Sequence, residues 1–324
     1  MATAEVAVAR QKPTARRVAP RVVRRTVAFY AFVAPWLICF VALDIIPIVL
    51  GVLTSMTDYD GLNLATIKWM GLQNYARAFT DLDVAYSFGR SILWSAINTP
   101  TWIILSFTLA LILNQAVKGR DFFRTLYYLP SVVPVVAVAR IWMIFLDTNN
   151  GLLNGILSLF RPGTAVRWLS DYALPACTAI SVWGGLGGGM IIFLAGLQGI
   201  PQELEEAALI DGANKLRVFR HITIPLMTPL IFFQLIMALI TSLQTFALPM
   251  IVYGGGAMTG QVARAVYLYV INTYRHIFAF QRFGYGTALL WLMSIVIMGL
   301  TLIVFRTARY WVYYESEAGG GGAA

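Results

Sequence analysis

The sequence predicts an all-α integral membrane protein with six transmembrane helices, and three observations lead to this fold class. The chain is 59% hydrophobic and only 12% charged, whereas about one quarter of the residues in a soluble domain are charged. Six stretches are apolar over the length of about 20 residues that a bilayer-spanning helix needs. Lysine and arginine concentrate in some of the segments between these stretches, as they do beside membrane spans.

The six predicted spans follow one another along most of the chain. Each is expected to be helical, because hydrocarbon offers a backbone no other hydrogen-bond partners. Their approximate bounds are 29–52, 92–113, 126–146, 174–197, 224–252 and 285–305. The predicted organisation is a basic N-terminal arm at 1–28, a first transmembrane helix at 29–52, an outer loop at 53–89, a five-helix core at 90–310 and a C-terminal tail at 311–324.

The distribution of basic residues predicts that both termini are cytoplasmic. The N-terminal arm carries seven of them directly before the first span: Arg10, Lys12, Arg16, Arg17, Arg21, Arg24 and Arg25. With six spans, the loops on the side of this arm also hold more lysine and arginine than the loops on the opposite side, which is the usual cytoplasmic signature. The net charge of +9 is therefore attributed to membrane topology, and no nucleic-acid partner is expected.

Glycine is concentrated in the fourth span, where five of the residues 183–189 are glycine. Such a run allows a neighbouring helix to approach closely. It also weakens a helix, so a wide or unwound stretch beside a solute path is the alternative. Near the end of the fifth span, residues 242–246 add polar side chains to an apolar helix, and these could also serve hydrogen bonds between helices.

Ionisable residues are rare inside the predicted spans. Arg140 lies in the third span and Asp147 follows two turns later on a similar helical face, so a buried ion pair is one hypothesis. The histidines His221 and His276 lie in different segments. No metal site and no catalytic centre are therefore expected, because either would need clustered ligands, acids or bases.

The polar loop between the fourth and fifth spans, 199–222, is the most organised segment of the sequence. Pro201 suits the first turn of a helix, and three glutamates between 203 and 206 come where acidic side chains complement the helix dipole. Gly212 is placed to end that helix, and a basic stretch follows it. The loop is predicted to form a short helix, a turn and a second helix.

A longer pattern extends through this loop. Glu206-Ala207-Ala208 is followed four residues later by Gly212, and then by Ile222-Thr223-Ile224-Pro225. This extended spacing resembles the EAA loop of binding-protein-dependent ABC importer permeases. The fuller pattern, with Asp211 before the glycine and with Phe219 and Pro229 after it, is similar to the carbohydrate-uptake branch of that family.

The resemblance covers most of the chain. The segments that carry it outside the loop are Gly71-Leu72-Gln73-Asn74-Tyr75, Phe123-Arg124-Thr125 with Leu129-Pro130, Gly151-Leu152-Leu153-Asn154 and Arg282-Phe283-Gly284-Tyr285-Gly286. One segment departs from the family pattern, which often has Thr-x-Gly-Gly-Pro after the fifth helix. Here Tyr253-Gly254-Gly255-Gly256-Ala257 stands in that place, without the threonine or the proline.

The resemblance implies a type I ABC importer permease in the bacterial cytoplasmic (inner) membrane. Such a chain pairs with a second homologous permease, binds two copies of a cytoplasmic ATPase and receives a carbohydrate from an extracytoplasmic binding protein. ATP and magnesium belong to the ATPase, so no cofactor and no enzymatic activity are expected in this chain. None of its four lysines lies in a Gly-Lys-Ser/Thr context, which an ATPase of this kind would need.

The resemblance also implies two sets of site residues. The residues that match the surface coupled to the ATPase are Glu203, Glu206, Ala207, Ala208, Asp211 and Gly212. Solute contacts in relatives come from the fourth and fifth helices, and the matching positions are Trp183, Gly185, Gly188, Ser242, Gln244, Thr245 and Phe246.

An ion-gradient-driven secondary transporter is the alternative function. Such a protein usually places ionisable residues near the membrane centre, and only Arg140 is a candidate here. This alternative would also leave the organised loop at 199–222 without a role.

Overall fold

The computed structural model describes residues 20–115, 118–163, 165–254 and 262–313. Within these ranges the chain is helical, with no β-strand and with one isolated bridge between Thr57 and Trp69. The chain divides into two compact units, Met1–Leu53 and Thr54–Ala324. Three segments lie outside the described residues: most of the predicted basic arm, residues 255–261 in the loop after the predicted fifth span, and nearly all of the predicted tail.

The first unit consists of helix α1 (Pro20–Phe40), a π-helical turn (Val41–Ile45) and most of α2 (Ile46–Ser55). The π turn closes with a bond from the Ile46 amide to the Val41 carbonyl. Only Ile46 separates this turn from Pro47, which has no amide proton to continue the α-helical ladder. A wider turn at this point therefore absorbs the proline without ending the helix.

The second unit contains the remaining helices, most of which alternate between long spans and short connecting helices. Their bounds are α3 (Gln73–Thr80), α4 (Leu82–Asn114), α5 (Arg120–Val132), α6 (Val135–Phe145), α7 (Leu152–Phe160), α8 (Trp168–Asp171), α9 (Ala173–Gln198), α10 (Gln202–Ile210), α11 (Lys215–Val218), α12 (Ile224–Leu243), α13 (Ala247–Tyr253), α14 (Tyr269–Tyr274) and α15 (Phe283–Ala308).

The helices confirm the predicted all-α membrane fold. Within the described ranges, five helices are long and apolar enough to cross a bilayer: Ala28–Ser55, Leu82–Asn114, Ala173–Gln198, Lys215–Leu243 and Phe283–Ala308. The pair α5 and α6, which is bent by 101°, brings the number to six if it is counted as one broken span. The prediction of one continuous third helix at 126–146 is therefore wrong. Val133 takes an extended conformation (ψ 131°), because the residue before a proline, here Pro134, is disfavoured in the α region.

The fifth span is also interrupted. It was predicted to run as one helix over 224–252, but α12 ends at Leu243 and α13 begins at Ala247. Phe246 between them has φ −135° and ψ −57°, outside helical geometry. The described residues therefore contain a break in the third span and another in the fifth.

The glycine run lies within a continuous helix, α9, and three of its residues allow close packing. A Cβ atom on Gly185 or Gly189 would lie 2.9 or 2.6 Å from the Trp102 side chain on α4, and one on Gly187 would lie 2.3 Å from the Tyr127 carbonyl oxygen on α5. Close packing of small residues is how helices associate in a membrane. The stretch is thus not unwound, and α9 forms the centre of the bundle between α4 and α5.

The connection between α6 and α8 is organised by one buried side chain. The Asn154 amide nitrogen donates to the carbonyl oxygens of Thr148 and Val166, both at 2.9 Å. Its oxygen accepts from the Trp168 indole nitrogen at 2.9 Å and from the Val166 amide at 3.3 Å. This side chain explains structurally why an asparagine stands in the family-like segment that begins at Gly151.

Replacing Asn154 by Ala is expected to lower the stability of the permease by about 2–4 kcal/mol, because the half-buried Trp168 indole N–H and the Val166 backbone amide would lose their acceptor. Thermal unfolding of the purified protein measures this change. The matched control is Asn149→Ala, which removes an exposed asparagine from the same connection. Equal unfolding temperatures for the two variants would contradict the role of Asn154.

Candidate functional site

Helix α10 is the short acidic helix that the loop pattern predicted. It begins after Pro201, whose φ of −61° and ψ of 126° place it just outside the helix, and Glu203 and Glu205 occupy its first turn. Among the predicted coupling residues, Glu203, Glu206, Ala207, Asp211 and Gly212 are exposed, and Ala208 is half-buried. The helix thus presents an acidic and partly alanine-lined face away from the rest of the chain.

Gly212 ends α10 in a geometry that requires glycine or a residue that tolerates φ > 0. Its φ is +82°, in the left-handed region that other L-residues enter only at a cost. The Ala213 amide donates to the Ala208 carbonyl at 2.9 Å, and the Gly212 amide donates to the Leu209 carbonyl at 3.1 Å. These two bonds form a Schellman motif, which satisfies the last carbonyls of the helix.

The next helix starts immediately after this turn. The Asn214 side chain accepts a hydrogen bond from the Arg217 amide at 2.8 Å and so caps α11. Helix α11 continues through a π-helical turn, Phe219–Thr223, into α12, so that residues Lys215–Leu243 form one span. The short acidic helix is therefore connected to a membrane helix by one tight turn without slack.

Phe219 fixes the base of this loop against the bundle. Its ring stacks on Phe107 of α4 with centroids 6.4 Å apart, and Phe107 packs edge-on against Phe193 of α9 at 5.3 Å. The neighbouring Val218 and Thr223 are buried. A displacement of α10 would therefore reach α4 and α9 through packed rings, since packed interiors resist local compression.

A cavity of about 490 Å³ lies where the two interrupted spans face each other. One wall is the α5–α6 break, with Pro130, Val133 and Val135, and the other is the α12–α13 break, with Gln244, Thr245 and Phe246. Ser181 and Gly184 of α9 form part of the floor between them. Interrupted membrane helices commonly occur where the backbone borders a polar path.

The predicted path residues divide into those that line this cavity and those that do not. Gln244, Thr245 and Phe246 line it. Ser242 is buried, and its hydroxyl has no hydrogen-bond partner among the described residues. Thr245, which follows the end of α12, donates to the Thr241 carbonyl of that same helix at 3.2 Å, rather than to another helix.

The predicted positions on α9 lie on different helical faces. Gly185 faces Trp102, and Trp183 borders a different apolar groove and packs edge-on against Trp142 at 5.7 Å. Gly188 borders open space, with nothing within 4 Å of where a Cβ would lie. It follows Gly184 by one turn, so these two glycines continue the same face of α9.

Sequence reasoning missed Ser181 and Gly184, although a helical periodicity was present that could have identified them. Ser181, Gly184 and Gly188 are spaced three and four residues apart, which places them on one face of a helix. The face of α9 toward α4 is identified by the packing of Gly185 and Gly189 against Trp102, and Gly184 lies on the face toward the cavity.

The hypothesis of a buried ion pair between Arg140 and Asp147 is wrong for the described residues. Asp147 lies beyond the end of α6, where its carboxylate accepts hydrogen bonds from the Asn149 and Asn150 amides at 3.0 and 2.8 Å. These bonds lower the pKa of Asp147. The Arg140 side chain is exposed and forms no ion pair there.

Comparisons with known proteins agree with this geometry. The probable ABC transporter permease protein YesP of Bacillus subtilis is 36% identical over 90% of this chain and 93% of its own length. The trehalose/maltose transport system permease protein MalF of Thermococcus litoralis is 31% identical over 87% of this chain and 93% of its own length. A crystal structure of a bacterial alginate ABC transporter, in complex with an alginate pentasaccharide-bound periplasmic protein, contains a chain with the same fold. Its TM-score is 0.78 at 21% identity, over 89% of this chain and 96% of that one.

The family model described as "binding-protein-dependent transport system inner membrane component" matches residues 102–313. This range includes the acidic loop helix, the Schellman turn and both helix breaks. The chain therefore belongs to the family of multi-pass permease subunits of binding-protein-dependent ABC importers.

Proposed function

We propose that this permease forms half of the path of an ATP-driven carbohydrate importer in the bacterial cytoplasmic membrane, with both termini cytoplasmic. The observation that carries the proposal is the α10 loop. An exposed acidic helix is held by a Schellman turn and an asparagine cap at the end of a membrane helix, and Phe219 anchors it to the bundle. Such a helix is suited to enter a cleft of another protein.

The partner in that cleft is a cytoplasmic ATPase. Two ATPase copies bind the two α10 loops of a pair of homologous permeases, and an extracytoplasmic binding protein supplies the solute on the other side. ATP and magnesium bind to the ATPase, and this chain holds neither. The family description and the importer assembly named for the alginate transporter support this arrangement.

Apolar side chains beside the acidic face support the docking of a protein. Ile210 and Leu216 are 86% and 72% exposed, at a polar loop rather than in a membrane span. Large apolar side chains exposed at such a place are typical of protein interfaces. Glu206 provides the charge, and these two side chains provide apolar area that an ATPase cleft would bury.

Movement of α10 would reach the cavity through α12. The turn at Gly212 and the cap at Asn214 leave little freedom between α10 and α11, and α11 is continuous with the membrane helix. When ATP draws the two ATPase copies together, each α10 moves with its ATPase. Gln244 directly follows the far end of α12, so this movement changes the opening of the cavity.

A carbohydrate is the solute that best suits the cavity. Gln244, Thr245 and Ser181 offer groups that hydrogen-bond to hydroxyls, and Phe246 offers an aromatic surface against which the C–H face of a sugar ring can lie. The names of two similar proteins, one for trehalose and maltose and one for alginate, point in the same direction. The second permease would complete the wall on the open side.

The proposal is tested by uptake into proteoliposomes that contain the purified complex. ATP enclosed with the ATPase should drive uptake of labelled oligosaccharides when the binding protein is present, and a proton or sodium gradient should not replace ATP. Uptake driven by an ion gradient with this chain alone would contradict the proposal and support a secondary transporter.

Filling the open face of α9 is expected to block the path. Gly188→Trp adds a large side chain where no atom lies within 4 Å, so it should enter the space beside the cavity without disturbing helix packing. Uptake should fall to below about a tenth of the wild-type rate, because the substitution obstructs the path rather than weakening one contact.

The control is Gly299→Trp on α15, where a Cβ also meets nothing within 4 Å. This variant should transport at nearly the wild-type rate. Normal uptake by Gly188→Trp, with both variants assembled to the same extent, would mean that this face of α9 does not border the path.

A further inference from the structure

Four arginines gather at the end of the bundle that carries α3, opposite the α10 loop. We call Arg77, Arg264, Arg275 and Arg282 the arginine cluster. Arg77 lies on α3 and Arg264 in the segment before α14. Arg275 begins the π-helical turn Arg275–Ala279, and Arg282 directly precedes α15. In the proposed orientation this end of the bundle faces outward.

Aromatic rings hold the cluster together. The Arg264 and Arg275 guanidinium carbons lie 5.8 and 5.4 Å from the centroid of the Tyr267 ring, and those of Arg275 and Arg282 lie 5.3 and 5.9 Å from the centroid of Phe280. Attraction between a cation and the face of an aromatic ring stabilises such contacts. The Arg77 guanidinium carbon lies 4.8 Å from the centroid of the Tyr285 ring, so each of the four charges lies over at least one ring.

The positive charge of the cluster is only partly neutralised. Arg264 pairs with Asp83 at 2.7 Å. Within the described ranges, no carboxylate oxygen lies within 4.0 Å of the guanidinium nitrogens of Arg77, Arg275 or Arg282. Asp81, the other nearby acid, is engaged by the Tyr285 hydroxyl at 2.9 Å and by backbone amides. The site thus has an excess of positive charge.

The neighbouring histidine does not change this balance. His276 lies in the same turn, packed edge-on against Tyr285 and Phe280. Burial lowers the pKa of His276 to about 4, so its ring is neutral at pH 7. Burial alone would raise the pKa of Asp81. Hydrogen bonds from the Tyr285 hydroxyl and from two backbone amides outweigh burial, so the pKa of Asp81 lies below its ordinary value.

Arg275 has an unused donor. Its Nη1 donates to the Tyr267 hydroxyl at 3.0 Å, while its Nε is buried and has no acceptor among the described residues. Leaving a buried charged donor unpaired is costly. Nε itself is enclosed, so an anionic group would contact the half-buried guanidinium at its Nη nitrogens and would stabilise its charge.

The cluster is connected to the cavity by aromatic side chains. Tyr274 directly precedes Arg275, and its ring centroid lies 4.9 Å from that of Phe246, which lines the cavity. Phe278 lies 4.6 Å from Tyr274 on the other side and is 57% exposed. A row of rings therefore leads from the exposed surface beside the cluster to the cavity.

We propose that the arginine cluster selects acidic oligosaccharides at the entrance of the path. Sugar carboxylates pair with Arg275 and Arg282, because a guanidinium matches a carboxylate with two parallel hydrogen bonds. Pyranose rings lie against Tyr274 and Phe278 on their way to the cavity. This inference rests on the proposed carbohydrate import and names the class of its solute.

A small acidic solute fits these observations better than an acidic patch of the binding protein. Arg275 is half-buried, so a flat protein surface would reach it less easily than a single sugar carboxylate would. A protein patch would also not require the row from Phe278 through Tyr274 to the cavity.

The test measures uptake of matched trisaccharides by the complete transporter with its binding protein. The acidic probes are trisaccharides of galacturonate, mannuronate and glucuronate, and the neutral probes are those of galactose, mannose and glucose. We expect uptake of an acidic probe in preference to its neutral match. Arg275→Gln and Arg282→Gln should each lower that uptake by roughly tenfold, since each removes a charge-assisted hydrogen-bond pair.

Two controls separate charge recognition from general damage. Arg161→Gln removes the same charge from an exposed position after α7 and should leave uptake unchanged. Arg282→Lys keeps the charge without the two-pronged geometry and should recover part of the uptake that Arg282→Gln loses. Because Arg282 is exposed, its variants test the proposal even if Arg275→Gln does not assemble.

Three outcomes would overturn the proposal. Uptake of neutral probes alone would exclude acidic selectivity while leaving carbohydrate import intact. Unchanged acidic uptake in both glutamine variants would remove the cluster from recognition. An equal loss for acidic and neutral probes, with weaker co-sedimentation of the binding protein, would assign the cluster to docking of that protein. Uptake of no carbohydrate by an assembled complex would refute the proposed function itself.

Discussion

Glu206→Lys is expected to reduce ATP-driven uptake to below about a tenth of the wild-type rate, because reversing a charge in a docked protein interface commonly costs several kcal/mol. Glu206 is exposed on α10, where it contributes no packing to the permease itself. The fold should therefore remain intact while binding of the ATPase, or its coupling to transport, is lost. Uptake and co-purification of the ATPase are measured on the same preparation.

Glu205→Lys is the matched control, since it makes the same charge change at the adjacent exposed position. It should retain more uptake and more bound ATPase than Glu206→Lys. If both variants lost the same amount, the net charge of α10 would matter and not the position of Glu206. Wild-type uptake and ATPase binding in Glu206→Lys would refute the assigned role.

Gly212→Val is expected to abolish most transport through a change in backbone conformation alone. A Cβ at this position meets nothing within 4 Å, so no clash is introduced. The φ of +82° is instead strained for a β-branched residue, at a cost of about 1–3 kcal/mol. The turn should relax, and the α10 helix should lose its fixed orientation relative to α12.

A series at this position isolates the cause. Gly212→Asn should transport far better than Gly212→Val, because asparagine tolerates the left-handed region, although it is larger than glycine. Gly212→Ala should fall between them. Equal uptake by the valine and asparagine variants would show that a left-handed residue is not needed for coupling.

Hydropathy predicted the order of the apolar segments because membrane insertion depends on composition averaged over a window. It did not predict that the third and fifth spans are broken. A window average does not register a change of direction, and the two apolar halves at Pro134 remain apolar. The proline itself was the available signal, since the residue before it is disfavoured in a helix.

The sequence was sufficient to predict the short helix of the coupling loop and the turn that ends it. Pro201, Gly212 and the acidic first turn each act on the local backbone, so sequence alone places the helix and its end. The anchoring of this loop was not predictable in the same way. Phe219 meets Phe107 through tertiary packing, and these residues are far apart in the sequence.

The path residues on α9 and the arginine cluster could not be predicted from the sequence, because both depend on how helices pack together. Whether Gly185 or Gly184 faces the cavity depends on the rotation of α9, which is set by the packing of Gly189 against Trp102. Arg77 and Tyr285 are distant in the sequence, and the Arg77 guanidinium lies over the Tyr285 ring only because α3 packs against α15. Periodicity within one helix could not reveal either arrangement.

The central claim is that α10 docks onto a separate ATPase, and site-specific crosslinking in native membranes tests it most directly. A photo-crosslinking amino acid is placed at Ala207, with Leu159 of α7, which is 79% exposed, as the control position. The account predicts an adduct from position 207 whose partner, by mass spectrometry, contains a nucleotide-binding sequence, and no such adduct from position 159. ATP-driven uptake by a transporter whose position 207 crosslinks to no ATPase would contradict the account.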